Sequence, residues 1–198
     1  MNDCAYPKIN AERKNENEQI IGIPETTISE FWQWAYSNVI DNAERGVFAE
    51  WLVAKALGAA GGTRIEWDKY DILTPSGICV EVKTSGYIQS WEQKKLSEIV
   101  FSVPQTQGWD SETNTYGQDK KRQADVYVFC VHKHKEQETV NPLDLSQWDF
   151  YVIDTKTLNS KIGKQKTLTL QKLIGLGAIM TTYDSLNETV ENVCMIGK

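Results

Sequence analysis

The chain has 198 residues, 40% of them hydrophobic, and its 21 basic and 27 acidic side chains leave a net charge of -6. It is long and apolar enough to bury one core, which excludes a disordered polymer, and its acidic balance gives no global attraction for a polyanion, so local basic surface must decide that question. Its four cysteines, Cys4, Cys79, Cys130 and Cys194, are scattered and form no C-x-x-C pair, which excludes a disulfide framework and suits a reducing, cytoplasmic setting.

Residues 1–24 are polar and aperiodic and read as an N-terminal arm, leaving residues 25–198 as a single domain. The arm holds no apolar run resembling a signal peptide, and no later segment could span a bilayer, so no membrane is expected. Thr27-x-x-Glu30 is a capping box that opens a helical stretch, with a break, from Ile28 to Leu57. Val47, Trp51, Ala54 and Leu57 make one apolar stripe, widened by Phe48 and Leu52 and expected to face a sheet. Gly58 and Gly61-Gly62 end the helix.

A strand is expected over Thr63–Trp67, followed by a β-hairpin. Its strands are Asp71–Thr74 and Ile78–Lys83, with Pro75 at the second turn position and Gly77 supplying the left-handed residue. Pairing Thr74 with Ile78 sets Asp71 opposite Glu81. Side chains alternate along a strand, so Glu81 and Lys83 share a face with Asp71 while Val80 and Val82 point into the opposite layer. Ile99, Phe101 and Val103 alternate within a strand over Ser97–Val103. Gly108–Gln118, rich in Gly, Asn, Ser and Thr, reads as a long loop. Asp125–Val131 is the clearest buried strand, His132–Glu138 is charged and expected at the surface, and Trp148–Ile153 is a further strand. Beyond Thr155 short helical and extended pieces are expected, with Leu173, Leu176, Ile179 and Met180 in the core. This order implies a sheet covered by helices rather than a sandwich.

The tripeptide E-x-K means little alone, because Glu12-Arg13-Lys14 and Glu92-Gln93-Lys94 also contain an acid two residues before a lysine. Only Glu81 lies in an apolar strand with an acid across a turn; Asp154-Thr155-Lys156, the nearest rival, lacks a hairpin partner. Asp71 and Glu81 offer hard oxygen ligands for Mg²⁺, with Mn²⁺ as a substitute, and the Val82 carbonyl lies between two functional side chains as a further ligand. Lys83 is suited to position or deprotonate an attacking water and to offset charge on a pentacovalent phosphate, which implies phosphodiester hydrolysis. Glu50 sits beside the apolar stripe, where a lone carboxylate is costly and a metal would relieve the cost. Glu44, six residues earlier, is off its face.

Glu50, Asp71 and Glu81-Val82-Lys83 together resemble the catalytic core of the PD-(D/E)XK nuclease superfamily, although Tyr70 stands where that pattern has proline. The resemblance covers residues 43–131, with an elaboration over 140–198. It implies a restriction-endonuclease-like three-layer α/β/α fold with a mixed central sheet, Mg²⁺-dependent cleavage of DNA, and a first-helix glutamate as accessory ligand. Gln89 resembles a glutamine that orients phosphate or water in some members. The candidate nucleic-acid contacts are Lys94, Lys121 and Arg122 for phosphate and Tyr87 for stacking. A homodimer would match a palindromic duplex. The rival readings are a nuclease-like domain that binds DNA or protein without cutting, and a metal-dependent phosphatase or nucleotide hydrolase.

Overall fold

The computed structural model describes residues 9, 11–64, 69–110 and 115–197. In chain order the elements are α1 (Ile28–Tyr36), α2 (Asn42–Ala56), β1 (Ile72–Leu73), β2 (Cys79–Gly86), β3 (Val100–Ser102), β4 (Thr106–Asp110), β5 (Thr115–Lys121), β6 (Val126–His132), β7 (Trp148–Asp154), α3 (Thr155–Ile162), β8 (Thr167–Thr169), α4 (Leu170–Gly175), β9 (Ile179–Thr181) and α5 (Leu186–Gly197). The capping box holds at α1, where the Thr27 amide donates to the Glu30 carboxylate at 3.0 Å. The helical stretch breaks between Tyr36 and Asn42, and Asp41 caps α2 by accepting from the Ala43 amide.

A five-stranded sheet in the order β1-β2-β6-β7-β9 forms the middle layer. β2 and β6 run parallel while the other neighbours are antiparallel, so the sheet is mixed. Alternation along the strands builds two cores. Val80, Val82, Val126, Val128 and Phe150 pack on one face against α2 and α5. On the other face Tyr127, Phe129, Tyr151 and Ile153 pack against α3, α4 and the small β3–β8 sheet. The result is the three-layer α/β/α architecture with a mixed central sheet. Each wholly buried Val, Leu or Phe in these cores contributes roughly 1.5–3 kcal/mol. β6 is buried along its whole length, as a central strand covered on both faces must be.

Four expectations need correction. The buried side of α2 is Arg45, Ala49, Leu52 and Val53, followed by Leu57, so the buried face is rotated about the helix axis from the stripe read from the sequence: Leu52 and Leu57 of that stripe are buried and Phe48 and Ala54 pack at the core's margin, but Trp51 is 49% exposed. Gly108–Gln118 is not a long loop: β4 and β5 pair as an antiparallel ribbon, with Trp109 and Tyr116 rings 4.8 Å apart. That ribbon lies outside both cores, and so shows none of the apolar alternation that betrays a half-buried strand. His132 is buried against Trp148 with ring centroids 4.9 Å apart. Ile179 and Met180 are 44% and 59% exposed because β9 closes the sheet's edge. The strand expected over Thr63–Trp67 is irregular at Thr63 and Arg64, and the rest of it, like Cys4, lies outside the described residues. Asp154 proves to be the cap of α3, accepting from the Thr157 amide at 2.7 Å.

Candidate active site

The hairpin register is local chemistry. Thr74 donates its amide to Ile78 O at 3.0 Å, and Gly77 takes φ 85°, a value that L side chains adopt only under strain. Ile72 then pairs with Val80 and Leu73 with Cys79, and the same register continued by one residue sets Asp71 beside Glu81. Asp71 brackets Glu81: its amide donates to Val80 O at 3.1 Å, and its Oδ2 accepts from the Val82 amide at 2.7 Å. Because the N–H and C=O of a strand residue point to the same edge, the Val82 carbonyl is also directed toward Asp71. Glu81 and Lys83 share the other face from Val80 and Val82, and Lys83 Nζ lies 2.6 Å from Glu81 Oε1.

The electrostatics of these groups are linked. Burial of the Asp71 carboxyl, and then the charge of Glu81, push its pKa up to about 7. Burial pulls the Lys83 ammonium down, but Glu81, Asp71 and Glu50 together outweigh it and the pKa is raised. Glu50 reaches the same electrostatic neighbourhood from α2. Its carboxylate is gripped by Arg64, whose Nη2 donates at 2.9 Å and whose Nε makes a second bond. Among the described residues no group of three or more His, Cys, Asp or Glu side chains is placed to hold a metal.

Tyr127 was not singled out in the sequence. It is the partner of Glu81 in the parallel β2–β6 ladder, and burial followed by the Glu81 charge raises its pKa. Only the strand pairing reveals it, since nothing local distinguishes it from the other aromatics of β6. Arg64 was missed because its partner, Glu50, lies 14 residues earlier on α2.

Other candidates are placed elsewhere. Gln89 is buried beyond the end of β2: its Nε2 donates to Gly86 O at 2.8 Å and its Oε1 accepts from Arg45 Nη2 at 3.3 Å, so both amide ends serve the fold. Arg122 is 4% exposed and donates to Val103 O, Asn159 Oδ1, Gly163 O and Gln165 O, which leaves it bracing the core rather than offered to phosphate. The Tyr87 ring is half-buried, with Lys135 Nζ 4.6 Å from its centroid. Lys94 and Lys121 are exposed.

A cavity of about 390 Å³ opens beside Asp71 and Glu50, its apolar wall formed by Val47, Trp51, Ala54, Tyr70 and Leu73. No helix among the described residues is long and apolar enough to cross a membrane.

No curated protein matches the chain. The family described as bacteriophage T4 endonuclease IV matches residues 10–172, a span that takes in both N-terminal helices, the hairpin and strands β1 to β8. With over four fifths of its residues so matched, the chain belongs to a nuclease family, that of bacteriophage T4 endonuclease IV.

Proposed function

We propose that the chain is a divalent-metal-dependent DNA endonuclease of the PD-(D/E)XK type, acting with Mg²⁺ or Mn²⁺ in a restriction, defence or DNA-processing role. The observation that carries this reading is the hairpin register, which gathers Asp71, Glu81 and Lys83 at one end of the sheet. The donor set suits the ion. Two carboxylates and a backbone carbonyl are what Mg²⁺ asks of a protein, since it keeps several waters, and burial first and the Glu81 charge second raise the proton affinity of Asp71, a cost that a bound cation would relieve. Asp71, Glu81 and the Val82 carbonyl would hold the cation, with Glu50 as an accessory ligand once released from Arg64. The bound ion would polarise the scissile phosphate and lower the pKa of a water.

Lys83 is a catalytic residue in this reading. Its raised pKa keeps it an ammonium at neutral pH, so its part is to hold the attacking water and offset charge on the phosphoryl oxygens rather than to take a proton. Lys94 and Lys121 would contact phosphate, residues 25–198 would form the one nuclease domain with residues 1–24 as an arm, and a cytoplasmic homodimer would serve both strands of a duplex.

Incubation with supercoiled plasmid, linear duplex and single-stranded DNA, with Mg²⁺, Mn²⁺ or chelator, tests the proposal. Metal-dependent cleavage that Asp71→Ala, Glu81→Ala and Lys83→Ala each abolish is expected. Full activity in Glu81→Ala would refute the site. Phosphate release from mononucleotides without strand cleavage would favour a small-substrate hydrolase, and metal-independent DNA binding without cutting would favour an inactive binding domain.

A further inference from the structure

We infer that the cavity beside the carboxylates is a nucleobase subsite with Trp51 as its stacking platform, an inference that rests on the nuclease reading above. Val47, Trp51 and Ala54 recur along α2 at helical spacing, yet Val47 and Trp51 take no part in the core and Ala54 only packs at its margin, because Ala49, Leu52 and Val53 face the sheet instead. The three residues line a solvent-open cavity with Tyr70 and Leu73. Trp51 and Leu73 stay 49% and 52% exposed there. Apolar side chains gathered in an open cavity, with polar groups at one side, are the usual make-up of a binding site.

Two observations choose the occupant. Glu50 and Asp71 line both this cavity and the candidate active site, so a group seated in it is continuous with a phosphodiester held at the carboxylates. The cavity's composition, an aromatic and aliphatic wall with Thr63, Arg64 and Glu50 also lining it, matches a flat apolar face with a hydrogen-bonding edge, which is a nucleobase. Trp51 is itself stacked on Phe48, with centroids 5.8 Å apart and planes 25° from parallel, so the indole is held in place at the wall. A volume of about 390 Å³ admits a base. A base inside a duplex stack cannot enter, so the strand must present it splayed out.

The test is cleavage, at saturating Mg²⁺, of a fluorescent single-stranded oligonucleotide and of the same strand carrying one abasic residue at each position around the cut in turn. The proteins compared are wild type, Trp51→Ala and Trp51→Phe. One abasic position should lower wild-type kcat/KM by about 5- to 150-fold, the range of a single base stacked on an aromatic ring. Trp51→Ala should show a loss of the same size that the abasic residue does not deepen, and Trp51→Phe should recover most of it. Trp51→Ala cutting the intact strand as well as wild type, or abasic losses that add fully to it, would overturn the subsite. Anisotropy of the same oligonucleotides with Ca²⁺ replacing Mg²⁺ reads binding separately. If no protein cleaves any strand, the nuclease reading has failed. Base-dependent binding that Trp51→Ala removes would even then support the subsite, and binding indifferent to the base or to Trp51 would overturn it.

Discussion

Replacing Arg122 by alanine distinguishes a brace from a DNA contact. The guanidinium donates to Val103 O at 3.1 Å in a buried bond, and to Asn159 Oδ1, Gly163 O and Gln165 O at 2.7, 2.9 and 2.9 Å in partly buried ones. Removing it strands a buried carbonyl, at roughly 1.5–3 kcal/mol for a bond to a charged donor, whereas water can replace much of the other three, at roughly 0.5–1 kcal/mol each. The total is about 3–6 kcal/mol, a large share of a stability that is typically about 5–15 kcal/mol. For a chain of this size each kcal/mol moves the melting temperature by about 2–4 °C, so Arg122→Ala should melt roughly 6–24 °C below wild type. Circular dichroism melts, paired with DNA binding across a salt series at a temperature where both proteins are folded, make the measurement. A phosphate contact would instead leave the melt within a degree or two of wild type while weakening binding and lowering the salt slope by about one. That second pattern would refute the reasoning.

Two other expectations follow from the same geometry. Mg²⁺ at a hundred times its dissociation constant should stabilise wild type by about 2.7 kcal/mol, roughly 5–11 °C in a thermal melt. Asp71→Asn and Glu81→Gln should lose that shift, and Asp71→Asn should melt no lower than wild type in chelator, because it removes a carboxylate that burial and the Glu81 charge already disfavour; a full shift in either variant would count against the ligand assignment. His132 is held neutral, since burial and then the nearby Arg45 guanidinium lower its pKa from 6.5 to about 4. The unfolded chain therefore binds a proton that the folded chain refuses between those values, so stability falls as pH drops from 6.5 toward 4, by up to about 3 kcal/mol. Urea unfolding at several pH values should show this slope in wild type and a flatter one in His132→Gln; equal slopes would remove His132 as the cause.

The parts of this protein that were legible in the chain are those whose cause is local. Pro75-Ser76-Gly77 sets the hairpin register within a few residues, so the approach of Asp71 to Glu81 and the common face of Glu81 and Lys83 follow from turn geometry and strand alternation. The Thr27–Glu30 capping box and the continuous apolar run of β6 are equally short-range signals. The place of Arg122 was not legible, because its acceptors lie 19, 37, 41 and 43 residues away, and three of them are backbone carbonyls that no side-chain pattern announces. The pairing of β4 with β5 went unseen because an exposed ribbon has no apolar side to reveal.

The face of α2 is the clearest division. Its periodicity establishes that apolar residues lie along the helix, but two adjacent stripes satisfy that pattern. Only the arrival of β2 and α5 decides that Ala49, Leu52 and Val53 are buried, that Ala54 sits between core and cavity, and that Val47 and Trp51 are left to wall the cavity beside Asp71 and Glu50. Turn chemistry and capping act over a few residues and can be read from the chain. Burial and strand pairing depend on which distant segment arrives, and tertiary packing alone supplies that.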